Sequence, residues 1–93
     1  LYPEVARCHA IRGAEVFLHS TSEVASPNLT IKQIARRARA LENLAYVVSA
    51  NNARLTGIDV PVDSSNGFSD IIDLQGNQMV VAGVGNSSVA NAY

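Results

Sequence analysis

Two segments of this chain each follow a helical pattern with a short apolar strand pattern, and this order limits the folds available to it. The first predicted helix, Tyr2–Arg12, ends at Gly13 and leads into "AEVFLHS", Ala14–Ser20. Proline and glutamate favour the first turn of a helix, and glycine commonly follows its last turn. The second predicted helix, Leu29–Leu44, leads into "YVVSAN", Tyr46–Asn51. Helices that alternate with short buried strands are typical of an α/β fold with a parallel sheet.

The second predicted helix carries its apolar residues at a helical spacing, which predicts one buried face. Those positions are Ile31, Ile34, Ala35, Ala38, Leu41 and Ala45. Glu42 falls on the same stripe, and a buried carboxylate needs a partner because an unpaired buried charge is costly. Arg39 on the same helix and Arg7 or Arg12 on the first helix are the candidates. The pattern favours a structural buried ion pair at Glu42, and a role beside an active site is the alternative.

The charges give no reason to expect a nucleic acid or an anionic membrane as partner, because the net charge is only −1. Residues 1–54 hold all seven basic and four acidic side chains, net +3, and residues 55–93 hold four acidic ones, net −4. Either the two parts complement each other in one fold, or the acidic part faces a basic partner outside these residues. Four basic residues share one helix without a stacking aromatic, which predicts a solvated or subunit-facing surface. They are Lys32, Arg36, Arg37 and Arg39.

The single cysteine cannot form an internal disulfide, which suits a reducing compartment. Cys8 lies in the middle of the first predicted helix, away from its N-terminus, so we expect it to pack rather than to act as a nucleophile. No apolar run approaches the roughly 18 residues of a membrane span, and no charged-then-apolar leader is present. The cytoplasm is the expected location, and no motif predicts a metal or a cofactor.

The second part of the chain predicts a long loop, Asn52–Gly67, and then a β-hairpin. The hairpin strands are Ser69–Leu74 and Gln78–Val84 around a turn that contains Gly76. A further strand is expected at residues 88–93. In open α/β sheets ligands bind beyond the carboxyl ends of the strands, which favours the polar stretch that begins at His19 as a site.

Four stretches in the order of the chain resemble the nitrilase superfamily of carbon–nitrogen hydrolases. They are "YPEVARCHAIRGAEV", "HSTSE", "RARALENLAYVVSAN" and "GFSDIIDLQGN", and the third is the most specific. The resemblance implies an α/β fold arranged as a four-layer α-β-β-α sandwich, paired into a homodimer or higher homo-oligomer. It also implies a Glu–Lys–Cys triad, a small-molecule amide, nitrile or carbamoyl substrate, and no metal or cofactor. In such a triad the thiol attacks the substrate carbon and forms a covalent intermediate.

The resemblance further implies that residues 1–93 are a partial carbon–nitrogen hydrolase domain, cut at both ends. In the family the nucleophile precedes an aromatic-Pro-Glu triplet, Cys-x-x-x-x-aromatic-Pro-Glu. Tyr2 is that aromatic residue, so the cysteine is expected four positions before Leu1, with the Glu and Lys further upstream. These 93 residues by themselves are then expected to be inactive. The alternative is a non-catalytic nitrilase-like interaction or regulatory module.

Carried over by position, the resemblance assigns the lining of the substrate pocket to the stretch after the first strand. The residues are Ser20, Thr21, Ser22 and Glu23, although the family often has an aromatic residue at the position of Glu23. It gives Glu4 and Glu42 structural roles or roles beside the site. The helix Leu29–Leu44 and part of Tyr2–Gly13 are the expected subunit contacts.

Overall fold

The computed structural model describes residues 2–26, 28–61, 65, 67–83 and 89–93. The elements of these ranges follow the predicted order of helix, strand, helix, strand and hairpin. They are α1 (Pro3–Ile11), β1 (Val16–Thr21), α2 (Ile31–Asn43), β2 (Tyr46–Asn51), β3 (Asp70–Ile72) and β4 (Gln78–Val81).

Local sequence signals set the ends of both helices. Pro3 opens α1, and Gly13, with a φ of +96°, follows its end. At α2 the Thr30 hydroxyl accepts a bond from the Gln33 amide at 3.1 Å, and the Gln33 side chain accepts one from the Thr30 amide at 2.8 Å. This reciprocal capping box satisfies two amides that the first helical turn leaves without partners. Leu44 ends α2 in the left-handed conformation, φ 50°.

The strands form one mixed sheet in the order β1-β2-β3-β4. Strands β1 and β2 are parallel, whereas β2–β3 and β3–β4 are antiparallel. Helix α2 packs on β2 and β3, and α1 contacts α2. The described chain therefore supplies one helical layer and one sheet layer of an α/β sandwich.

The core lies between α2 and the middle of the sheet. Its buried members are Ala40, Val47 and Ile72, with Phe17 packed against them. The β3–β4 turn also reaches α2, because Arg37 Nε donates to the Gly76 carbonyl at 2.7 Å. A Cβ at Gly76 would stand 3.1 Å from the Arg37 carbonyl oxygen. Glycine at this turn therefore allows both the close approach and the φ of +78°.

The large side chains of the apolar stripe of α2 point away from the sheet, so the prediction of a buried face is wrong for them, whereas Ala45, the last position of the predicted stripe, is fully buried. Ile31, Ile34 and Leu41 are 70%, 54% and 54% exposed. The two buried residues of α2, Arg36 and Ala40, lie on the opposite side of the helix. Small Ala40 allows the helix to approach the strands closely, and the larger apolar residues are left for another contact.

Other apolar groups are also uncovered by the described residues. Leu18 of β1 is 82% exposed, and residues of this strand alternate between half-buried and exposed, so the described residues do not bury the first strand on both faces. Cys8 lies on the exposed side of α1, so its predicted packing role is wrong too. The strand expected at residues 88–93 is absent from residues 89–93, and the predicted strand end at Val84 lies outside the described residues.

Candidate functional site

The carboxyl ends of β1 and β2 lie side by side because these strands are parallel. Thr21 is in register with Asn51, and His19 with Ser49. The polar stretch that follows β1 therefore meets the Asn51–Asn52 pair that ends β2. This is the edge of a parallel sheet at which ligands ordinarily bind.

Asn51 joins three separate segments at this edge. Its side-chain oxygen accepts a bond from the Glu23 amide at 2.7 Å, and its side-chain nitrogen donates to the Gly67 carbonyl at 2.7 Å. Its own amide donates to the Ser69 hydroxyl at 2.9 Å. The stretches after β1 and before β3 are thereby fixed to the end of β2.

Asn52 repeats this role one residue further on. Its side chain donates to the Ser22 hydroxyl at 2.9 Å, and its carbonyl accepts from the Ser65 hydroxyl at 2.7 Å. Phe68, between these anchored stretches and β3, has a φ of +59°. A non-glycine residue in the left-handed region costs free energy, and such strain is found where the surrounding structure fixes the backbone firmly.

Three charged side chains, one each from the stretch after β1, from α2 and from β3, form a buried cluster next to this edge. Glu23, Arg36 and Asp70 are 5%, 6% and 2% exposed. Arg36 Nη1 donates to Glu23 Oε1, and Arg36 Nη2 lies 3.5 Å from Asp70 Oδ2. Thr30 Oγ1 donates to the other Glu23 oxygen at 3.3 Å, and the Gln78 side chain donates to Asp70 at 2.8 Å. One guanidinium thus serves two buried carboxylates.

The four residues predicted to line a pocket lie together in sequence but face different surroundings. Ser20 is exposed, on the strand face opposite that of half-buried Thr21. Ser22 is exposed and bonded to Asn52, whereas Glu23 is buried and paired with Arg36. Glu4 is exposed in the first turn of α1.

Glu42 has the predicted partners without the predicted burial. Arg39 Nη1 forms an ion pair with its carboxylate, and Arg7 Nη2 donates to its backbone carbonyl at 2.7 Å. The side chain is exposed, however, because it lies on the apolar stripe that faces away from the sheet. The prediction of a buried ion pair at Glu42 is therefore wrong for the described chain.

A groove of about 560 Å³ runs between α1, β1 and α2. Thr21 and His19 line it together with the basic side chains of Lys32, Arg36 and Arg39. His19 Nδ1 lies 3.2 Å from the Ser49 hydroxyl. Burial, with a further contribution from the positive charge of Arg36, lowers the pKa of His19 below its ordinary value. The neutral imidazole is therefore favoured, with one ring nitrogen as donor and the other as acceptor.

Sequence reasoning missed the two residues that complete the buried cluster. Arg36 was expected on a solvated or subunit-facing surface, which is wrong, because it is buried against Glu23 and Asp70. Asp70 is the first residue of the short strand β3, and no local sequence signal marks it as a partner of Arg36. The Asn51–Asn52 pair carried a usable signal, since two amide side chains directly after a parallel strand lie where ligands bind.

Among the described residues there is no group of three or more His, Cys, Asp or Glu side chains that could hold a metal ion. Within the same part of the chain, neither helix is long and apolar enough to span a bilayer.

Comparison with solved structures identifies the fold. An amidase of the nitrilase superfamily from Nesterenkonia AN1 is 28% identical, with a TM-score of 0.74 over 89% of this chain and 30% of its own. The C. elegans NitFhit protein is 30% identical, with a TM-score of 0.70 over 86% of this chain and 19% of its own. Nit3 of Saccharomyces cerevisiae, a nitrilase-superfamily member, is 23% identical. The alignment has a TM-score of 0.75 and covers 92% of this chain and 31% of Nit3. No family model and no curated protein sequence matches the chain.

The chain therefore has the α/β fold of the carbon–nitrogen hydrolases, and the predicted resemblance to the nitrilase superfamily is confirmed. It spans less than a third of the length of these solved chains.

Proposed function

We propose that these residues are part of a carbon–nitrogen hydrolase domain of the amidase or nitrilase type, and that the domain continues beyond both ends of residues 1–93. The observation that carries the proposal is the match to the Nesterenkonia amidase over 89% of this chain, at 28% identity. The polar edge formed by the ends of β1 and β2 supports it, because ligands of α/β sheets bind at the carboxyl ends of parallel strands. A cytoplasmic location completes the proposal, and the exposed thiol of Cys8 favours it.

The chemistry proposed for the whole enzyme is a two-step substitution at the substrate carbon, with the thiol as nucleophile. With an amide, the thiol gives its proton to a base as the sulfur bonds to the amide carbon; the C–N bond then breaks, and the amine or ammonia leaves with that proton. A nitrile gives a thioimidate, which one water converts to the same thioester as ammonia leaves. Water then attacks the thioester carbon and gives a proton to the base, the C–S bond breaks and the sulfur takes up that proton, so that the acid and the free thiol are released. In a mutant of the related Nesterenkonia amidase, the acetamide moiety of fluoroacetamide is covalently added at the active-site cysteine.

In this proposal the present chain shapes the pocket and does not supply the nucleophile. Thr21 and Ser22 form the wall beside the reacting carbon, whereas Ser20 lies on the opposite face of β1. Neither Glu4 nor Glu42 contacts substrate. The glutamate, lysine and cysteine of the triad lie upstream of Tyr2. The substrate is a small amide, nitrile or N-carbamoyl compound.

The test is a single substitution in the complete gene product. The position four residues before Leu1 should be cysteine, and its replacement by alanine should lower ammonia release at least about a thousandfold, as expected for a lost nucleophile. Acetamide, propionitrile and N-carbamoylglycine serve as probes. The matched control is Cys8→Ala, which should leave the rate unchanged because Cys8 is on the exposed side of α1.

Two outcomes would contradict the enzymatic proposal. One is a residue other than cysteine at the upstream position. The other is a folded complete protein that releases ammonia from none of the three probes, which would support the non-catalytic module instead.

We further propose that the exposed stripe of α2 is a contact between two copies of the protein in a homodimer or larger homo-oligomer. Ile31, Ile34 and Leu41 are all more than half exposed, and a contiguous apolar stripe of this kind is typical of an interface. Ile34→Glu should therefore lower the mass of the complete protein measured by light scattering to that of a smaller assembly. The control is Ile58→Glu, at an exposed isoleucine outside both helices. An unchanged mass in Ile34→Glu would contradict the proposed contact.

A further inference from the structure

The carboxylate of Glu23 is committed to contacts inside the protein. Arg36 Nη1 donates to Oε1 and the Thr30 hydroxyl donates to Oε2 at 3.3 Å, while the residue is only 5% exposed. Its backbone amide is engaged as well, by Asn51 Oδ1 at 2.7 Å. A side chain held in this way is not free to bind a substrate, although the sequence places it in the pocket-lining stretch.

Burying the three charged side chains of the Arg36 cluster costs desolvation free energy, and their mutual contacts offset only part of it. Two carboxylates share one guanidinium, and within the described residues Arg36 Nε and Asp70 Oδ1 find no hydrogen-bond partner. Buried ion pairs of this kind are often no more stable than apolar side chains of equal volume, and partly satisfied networks are worse. Stability alone therefore does not account for three charged residues at these positions.

The cluster does connect the parts of the chain that form the candidate site. Glu23 closes the stretch after β1, Arg36 lies on α2, and Asp70 begins β3. These residues are 13 and 34 positions apart, measured from Arg36 to Glu23 and to Asp70. The planar guanidinium presents several donors at fixed angles, so it can hold two carboxylates in one relative orientation.

We propose that Glu23, held by Arg36, is a positioning residue that fixes the pocket wall formed by Thr21 and Ser22. Its carboxylate anchors the end of the stretch to α2, and its amide anchors the same point to β2 through Asn51. The wall then keeps one geometry relative to the reacting carbon. This inference rests on the proposed function for its catalytic consequence, but the anchoring itself is measurable without any substrate.

Glu23→Gln in the complete gene product is the direct test. The amide has nearly the same shape, and its introduction leaves Arg36 balanced by Asp70, so the fold should be retained. The charge-assisted bond is lost, and such bonds are roughly twice as strong as neutral ones. Hydrogen–deuterium exchange of the peptide that covers residues 20–26 should become about tenfold faster, while the β2 amides are unchanged. Arg36→Lys should act in the same direction, because an ammonium group cannot reproduce the guanidinium fork.

The catalytic readout separates positioning from simple destabilisation. For whichever of acetamide, propionitrile and N-carbamoylglycine is hydrolysed, kcat/KM should fall about ten- to a hundredfold in Glu23→Gln, mostly through KM, as expected for a displaced pocket wall. Arg12→Lys, at an exposed arginine after α1, is the control and should change neither readout.

The exchange and kinetic results test the anchoring, the positioning role and the proposed function separately. Unchanged exchange in both variants would overturn the anchoring. Faster exchange with unchanged kcat/KM would overturn the positioning role. A wild-type protein that hydrolyses none of the probes would contradict the proposed function, and the exchange measurement would still decide the anchoring.

Discussion

Arg36→Ala is expected to lower the free energy of unfolding of the complete gene product by about 3–5 kcal/mol, the range for a buried ion pair that loses one partner. The reason is that Glu23 and Asp70, 5% and 2% exposed, would both remain buried without a counter-charge. Urea unfolding followed by circular dichroism at pH 7 measures the change. The effect should be much larger than that of Arg12→Ala, which removes an exposed arginine and should stay within about 0.5 kcal/mol of the wild type.

A compensated variant tests the cause of that loss. Adding Glu23→Gln and Asp70→Asn to Arg36→Met removes all three charges while nearly keeping the volumes, and should recover most of the stability. A loss below about 1 kcal/mol in Arg36→Ala would contradict the buried cluster, since it is smaller than the usual cost of an unpaired buried charge.

Leu18→Ala is expected to cost about 2–4 kcal/mol in the complete protein, although the side chain is 82% exposed in this chain. Leu18 lies on the sheet face that the described helices leave uncovered. In a four-layer α-β-β-α sandwich a second sheet covers that face, and the truncation then leaves a cavity in the core. Denaturant unfolding of the complete protein measures this change as well.

Ile58→Ala provides the comparison for Leu18. Ile58 is 62% exposed in the loop after β2, outside both helices, so its truncation should change the stability by no more than about 0.5 kcal/mol. Equal small losses in Leu18→Ala and Ile58→Ala would mean that the sheet face is open to water in the complete protein. That result would contradict the proposal that these residues belong to a larger sandwich domain.

The sequence predicted the fold elements well because their signals are local. The first turn of α1 at Pro3, the glycine after its end and the turn at Gly76 all act through neighbouring backbone atoms. The order of helices and strands, together with the four stretches that resemble the nitrilase superfamily, was sufficient to identify the fold. Such signals are present in a few consecutive residues and need no information about distant parts of the chain.

For the candidate site, the sequence predicted which stretch of the chain forms it but not the residues that this stretch contacts. The stretch after β1 was singled out because parallel strands present their carboxyl ends at one edge, and the register of Thr21 with Asn51 agrees with that reasoning. The partners of the stretch were missed, because Asn51 and Arg36 come from other segments of the chain.

The sequence by itself determined the elements from α1 to β4, their order and the superfamily fold, although the strand expected at residues 88–93 is absent from residues 89–93. The tertiary structure decided which side of α2 faces the sheet. A helical period shows only that one side is apolar, and here that side, with Ile34 and Leu41, faces away while Ala40 and Arg36 pack inward. The burial of Arg36 follows from this choice. Two carboxylates from other segments are available beneath α2 to balance its charge, and only the folded chain brings them within reach.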